Sequence, residues 1–167
     1  MILGLSIQTF TLIHVIISLV AIASGVVVLI GMLGSHRMQG WTALFLFTTV
    51  LTSATGFLFP FHGFTPAIGV GIISCLLLAL ALFGLYSKHL LGAWRWIYVA
   101  GAVSAFYLNV FVLVVQSFQK VPALRVLAPT QSEPPFLVAQ AIALAVFFVA
   151  GILAVSRFRP APDALPR

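Results

Sequence analysis

The feature that most constrains this chain is a series of five nearly uninterrupted apolar runs, each long enough to cross a bilayer. A spanning α-helix takes about 20 mostly apolar residues, because it rises about 1.5 Å per residue through a hydrocarbon core about 30 Å thick. The runs cover residues 5–33, 41–61, 66–86, 94–118 and 135–155. In hydrocarbon, backbone N–H and C=O groups must find partners inside their own segment or in a closed barrel, so runs of this length read as helices. The expected fold is all-α: an integral membrane bundle of five transmembrane helices, in one domain over residues 1–156, with a short tail at 157–167.

Composition closes off the alternatives. With 62% hydrophobic and 6% charged residues, a soluble monomer could not cover its surface; an ordinary domain is about one quarter charged. The net charge of +6 comes from eight Lys and Arg against two acids. These basic residues are dispersed between the runs rather than gathered in a stripe, so no nucleic-acid partner is expected, and they report orientation instead. Arg37, Lys88, Arg95, Arg157, Arg159 and Arg167 fall on one side and Lys120 and Arg125 on the other. Positive-inside bias puts the amino terminus outside and the carboxyl terminus and tail in the cytoplasm, and an odd number of spans agrees. Residues 1–35 carry no Lys, Arg, Asp or Glu, and the first run is about twice the length of a signal-peptide core, so it is expected to be a retained span. Trp41, Trp94 and Trp96 fall at the cytoplasmic interface.

Two connections face the outside. Residues 60–66 form an aromatic turn between prolines. Residues 119–134 contain a stretch, 121–128, that predicts a short helix lying on the headgroups, with Pro122 in its first turn. Pro134 plays the same part for the fifth span, with Ser132 or Glu133 as its cap.

Small and weakly polar residues recur at helical spacing, as helix seams in lipid require. The stripes are His14, Ser18, Ala21 and Gly25; Thr48, Thr52 and Thr55; Ala67, Gly71, Cys75 and Ala79; Gly101, Ala105 and Asn109; and Ala139, Gln140 and Ala143. Counted at helical rise from the outer ends, Ser53, Ser74, Asn109 and Gln140 lie roughly 8–14 Å deep. His14 joins them unless the first turns of its long helix stand clear of the hydrocarbon. Such a layer is either a hydrated, ligand-binding pocket open to the outside or a mutually satisfied polar core. In the pocket reading His14 and Asn109 supply directional hydrogen bonds, Gln140 closes the layer, and Ser53 and Ser74 are lesser members.

Catalytic material is scarce. Both acids, Glu133 and Asp163, lie outside the runs, and Cys75 is the lone cysteine, which excludes an intrachain disulfide and any Cys-rich metal site. There is no nucleophile–base–acid set, no Gly-rich phosphate loop and no His pair at metal-binding helical spacing. Neither an enzyme nor a metal centre is expected. The four histidines are the remaining chemistry. His14 and His62 lie toward the outside and His36 and His89 at the cytoplasmic ends, a two-plus-two layout that could hold haem b through axial imidazoles.

His14 in the first span, His36-Arg37-x-x-Gly40 opening the second, and His89 with Arg95 before the fourth form three short patches. On these the chain resembles uncharacterised bacterial multi-span inner-membrane proteins grouped as a domain of unknown function. More distantly, it is similar to the four-histidine layout of b561-type cytochromes, which place their histidines on helices, whereas His36, His62 and His89 fall in loops here. The resemblance implies a multi-pass protein of a bacterial inner (cytoplasmic) membrane. The function expected is a small non-enzymatic membrane protein that binds a small or lipidic ligand in an outer-half polar pocket or supports a membrane complex. Two readings stand beside it: a b-type haem electron carrier, and a pure scaffold that contacts a membrane-protein partner through residues 119–134.

Overall fold

The computed structural model describes residues 1–60, 63 and 65–160. The chain is 79% helical, with no strand among the described residues. The elements are α1 (Ile7–Leu33), α2 (Gln39–Gly56), α3 (Pro66–Leu82) with a π-helical turn over Phe83–Ser87, α4 (Trp94–Lys120), a short α5 (Pro122–Leu127) and α6 (Pro134–Arg157). Four of these are long and apolar enough to cross a membrane: α1, α3 with its π-turn, α4 and α6. The remaining long helix, α2, has 18 residues and carries Thr42, Thr48, Thr49, Thr52, Ser53 and Thr55, hydroxyls that dilute its hydropathy.

Helix starts follow local chemistry. Ser6 caps α1 by accepting the Thr9 N–H at 3.1 Å, and Thr65 caps α3 by accepting that of Ile68 at 3.4 Å. Prolines open α3, α5 and α6, where the missing N–H costs nothing. The expectation that the second span reaches residue 61 is not met, because α2 stops at Gly56. The Phe57 ring turns onto α3, where a Cβ on Gly71 would lie 2.7 Å from its tip, and Pro60 disfavours a helical Phe59.

α1 and α2 form an antiparallel hairpin. Residue 10 meets 59, 14 meets 55, 18 meets 52 and 31 meets 38, so α2 and the residues flanking it run antiparallel beside α1. α4 is the central helix, packed on α1, α3 and α6. Phe106 of α4 sits on Gly25 of α1, where a Cβ would come within 2.8 Å of its ring, and meets Phe45 and Phe147 edge-on at 5.9 and 4.8 Å. Gly101 lets α4 approach α3 until a Cβ there would be 3.0 Å from the Leu77 carbonyl oxygen. Without a hydrophobic drive between helices in lipid, such close van der Waals contact supplies much of the association.

The expected small-residue seam of α3 is corrected by this packing. Cys75 is exposed, and the buried face is Ser74, Leu78 and Ala81 instead. Ala81 meets Gly101, so the approach of the two backbones, rather than small size along α3 alone, selects the inward face. Outward, α6 exposes more than half of Leu137, Ile142 and Phe148, a surface for lipid rather than water.

The ends of the bundle differ. Arg37, Lys88, Arg95, Arg157 and Arg159 stand at one end, called here the basic end; Lys120 and Arg125 stand at the far end. At the basic end the Arg95 guanidinium donates through Nη1 to the carbonyls of Val155 (3.0 Å) and Phe158 (2.6 Å), and the Arg159 N–H donates to Ser35 Oγ at 2.8 Å.

Candidate functional site

The residues expected to share an outer polar layer are divided among separate helix seams. His14 Nδ1 lies 2.7 Å from Thr55 Oγ1, across the α1–α2 seam, with Phe59 edge-on to the imidazole at 5.3 Å. Thr55 also donates to its own Leu51 carbonyl at 2.7 Å, which leaves its oxygen free to accept from an imidazole N–H. One turn deeper, Ser18 donates to Thr52 Oγ1 at 3.4 Å and to the His14 carbonyl at 2.7 Å. Asn109 of α4 donates to Thr49 of α2 at 3.3 Å. Gln140 of α6 donates to the Phe111 carbonyl of α4 at 3.2 Å, while its Oε1 is buried without a hydrogen-bond partner. Ser74 is buried and Ser53 half-buried, and neither hydrogen-bonds to His14, Asn109 or Gln140. His14, Asn109 and Gln140 are therefore spread over three seams, each bonded across to a neighbouring helix.

At the far end, α5 packs Leu124 and the following Ala128 against Phe118 and Phe136. A shallow hollow there is lined by Lys120, Pro122, Arg125, Val126 and Pro129. Glu133 precedes α6, but its carboxylate turns away from the helix to accept from Thr130 N–H (3.1 Å), Thr130 Oγ1 (2.9 Å) and Ser132 N–H (3.1 Å). Desolvation pushes this carboxyl up, but these hydrogen bonds together outweigh it and hold the group below its ordinary value.

The more enclosed of these two hollows lies at the basic end. A cavity of about 350 Å³ is lined by Val28 and Met32 of α1, His36, Arg37 and Met38 of the connection, Gln39, Thr42 and Ala43 of α2, Leu85 and Tyr86 of the π-turn, His89, Tyr98 of α4, and Phe158. Its inner wall is apolar and buried, with Val28, Met32, Leu85 and Phe158 each at most 9% exposed. Tyr98 and Thr42, both buried, bring α4 and α2 into its lining. His36, Gln39, Tyr86 and His89 are exposed at the mouth.

Two folded-back connections build that mouth. Gly31 lets the first lie against α1, since a Cβ there would come 2.5 Å from Met38 Cγ, and the His36 N–H donates to the Gly31 carbonyl at 2.8 Å. In the second, the Lys88 N–H reaches five residues back to the Phe83 carbonyl at 3.0 Å, closing the π-turn. His89 and Leu90 follow with φ of 49° and 60°, a left-handed conformation that costs L-residues about 1–2 kcal/mol each. Lys88 lies over the rings of Phe83 and Trp94, 5.4 and 6.0 Å from their centroids. Backbone strain and π-turns gather where a chain is held for a purpose rather than for packing.

Of the four histidines, His36 and His89 are brought to one cavity, His14 is engaged in the α1–α2 seam, and His62 lies outside the described residues. No cluster of three or more His, Cys, Asp or Glu suited to a metal ion exists among the described residues. Sequence reasoning missed Arg37, Thr42, Tyr86 and Tyr98 as lining residues. The usable signal was that His36 and His89 each fall three residues beyond the end of an expected span, on the same side. Compared with protein-family models, curated proteins and solved structures, the chain matches none.

Proposed function

We propose that this chain is a five-span protein of a bacterial inner membrane, amino terminus outside and carboxyl terminus in the cytoplasm, that binds a small or lipidic ligand and is not itself an enzyme. The observation that carries the reading is the cavity at the basic end, apolar within and polar at its mouth. That form suits binding sites, which are concave and mostly apolar with a few placed polar groups. In the outer layer first considered for this role, His14, Asn109 and Gln140 each bond to a neighbouring helix, while Gln140 Oε1 is buried without a partner. With α2 counted as a span, positive-inside bias puts the cavity at the cytoplasmic edge of the bilayer.

Native mass spectrometry of the full chain, extracted in dodecyl maltoside, tests the reading. A retained adduct of a few hundred daltons is expected, lost when Ala43→Trp fills the cavity. An adduct pattern unchanged by Ala43→Trp and by a second filling variant, Met38→Trp, would overturn it.

One observation favours a second reading. His36 and His89, an expected axial pair, line the same cavity. A haem held by these two imidazoles would supply one-electron transfer. A Soret band lost in His36→Ala and in His89→Ala supports it; a colourless protein that takes up no added haem retires it.

A further inference from the structure

We propose that the hollow beside α5, at the far end, seats the phosphate of an anionic bilayer phospholipid between Lys120 and Arg125, with Val126 against its glycerol and first chain carbons. This site needs the chain to cross a bilayer but is independent of the basic-end cavity.

The hollow stands at headgroup depth. α4 has 27 residues and is about 40 Å long at helical rise, against a hydrocarbon core about 30 Å thick. With Trp94 and Trp96 at the interface of the basic end, Lys120 reaches the headgroups of the opposite leaflet. The chain then leaves α4 through an extended Val121, and Leu124 and Ala128 pack on Phe118 and Phe136, in the outermost turns of α4 and α6.

The charge there is unanswered. Lys120 and Arg125 are exposed, and among the described residues neither side chain has a hydrogen bond or an ion pair. Pro122, Val126 and Pro129 supply the rest of the lining, so it holds no carboxylate. Of the two acids in the chain, Glu133 gives its carboxylate to Thr130 and Ser132 and lines no part of the hollow. Asp163 lies outside the described residues, three beyond Pro160. Three residues extend at most about 11 Å, and the chain before them is tied at Arg159 to Ser35 of the basic end. The 24 residues of α6, about 36 Å, separate that end from the hollow. Two cations facing one hollow repel each other, and an anion shared between them removes that repulsion.

Exposed apolar groups select a lipid over a free anion. Val121, Val126 and Leu127 flank the cations and are 44%, 80% and 54% exposed. A soluble phosphate would leave these side chains in water, whereas glycerol and acyl carbons cover them. A net-negative head is preferred to a zwitterionic one, because a choline or ethanolamine cation would enter beside Lys120 and Arg125.

The walls are fixed before a lipid arrives. The Leu124 and Arg125 N–H groups both donate to the Val121 carbonyl, at 3.0 and 2.9 Å, and Pro122 sets its own φ, so the turn between the cations is held. On the other wall, Gln131 ties the loop after Pro129 to α4. It donates to the Val115 carbonyl at 2.8 Å and accepts from Gln119 at 3.2 Å.

The test is native mass spectrometry of the full chain in dodecyl maltoside, titrated with dioleoyl phosphatidylglycerol or dioleoyl phosphatidylcholine. At about fivefold per interfacial cation, phosphatidylglycerol is expected to bind about 25-fold tighter than phosphatidylcholine. Lys120→Gln and Arg125→Gln should each lower that ratio about fivefold and together bring it near one. Arg157→Gln with Arg159→Gln, which removes the same charge at the basic end, should leave it unchanged, as should Ala43→Trp, which fills the basic-end cavity. A ratio near one in the unaltered chain overturns the proposal, and so does an equal fall in the Arg157, Arg159 double variant, which would make net charge the cause. Displacement by glycerol phosphate at the concentration of the lipid overturns the lipid and makes a soluble phosphate ester the ligand. A second measurement keeps both cations: bimane on Val126→Cys, in a Cys75→Ser background, in nanodiscs of the two lipids. Blue-shifted emission, quenched by a phosphatidylcholine bearing a nitroxide on its head, is expected. Water-like emission in the nanodisc overturns the proposal, and emission that turns blue only in cell membranes would give this face to a protein partner instead.

Discussion

Gln140 and Asn109 are the same kind of side chain in opposite circumstances. Asn109 donates to Thr49, whose hydroxyl also donates to its own Phe45 carbonyl, so the amide joins a chain of bonds between α4 and α2. Gln140 donates to Phe111 but leaves Oε1 buried and unpartnered. An unsatisfied buried polar atom costs about 1–3 kcal/mol, and an interhelical bond in a membrane returns about 0.6 kcal/mol on average. Gln140→Leu should therefore leave the thermal midpoint of the detergent-solubilised protein unchanged or raise it. Asn109→Leu should lower it by the equivalent of about 0.5–1.5 kcal/mol. A fall on Gln140→Leu as large as that on Asn109→Leu would mean that Oε1 has a partner, which would return Gln140 to the ligand-binding candidates. Neither outcome was legible in the sequence. Depth alone put both amides in one layer, but their partners depend on how α4 and α6 are rotated, which no local pattern encodes.

Among the elements, what was legible is what local chemistry dictates. Pro66, Trp94 and Pro134 mark helix starts to within a residue of expectation, because proline at a first turn and apolar continuity act over a few residues. The early end of α2 was hidden, because it depends on Phe57 finding Gly71 on another helix. The basic-end cavity was hidden for the same reason: its wall comes from the ends of helices distant in sequence. Arg95 shows how those ends are tied. Read from the sequence it is one of six orienting charges, yet in the fold it bonds two carbonyls at the end of α6, where a cation also meets the negative pole of the helix dipole. Arg95→Met should cost about 1.5–3 kcal/mol, the range for hydrogen bonds to a charged group. The effect should be local, with amide hydrogen exchange accelerating at residues 155–158 and little change in α1. Exchange that rises equally throughout would show that Arg95 supports the whole bundle instead of one helix end.

At the scale of the molecule the open quantity is the number of crossings. Four helices meet the length and hydropathy of a span, and an even number would put both termini on one side. Yet α2 begins at the basic end beside Met32 and ends beside His14, so its 18 residues run beside about two thirds of the 27-residue α1. Its hydroxyls do not keep it out of a bilayer. Thr48, Thr49 and Thr55 donate to carbonyls of the preceding turn, at 2.7 Å in each case, and Thr48 and Thr49 are buried in the bundle. A hydropathy average counts these groups as if they faced lipid, and so understates the helix. The proposed five crossings would put Arg37, Lys88, Arg95, Arg157 and Arg159 in the cytoplasm and Lys120 and Arg125 outside. A green fluorescent protein fused after the last residue should then fluoresce, and alkaline phosphatase fused at the same place should be inactive. In a Cys75→Ser background, a cysteine at position 125 should react with an impermeant maleimide on intact cells, and one at position 88 should react only after the membrane is opened. Labelling of both positions from outside would remove α2 from the spans and, with it, the cytoplasmic setting proposed for the cavity.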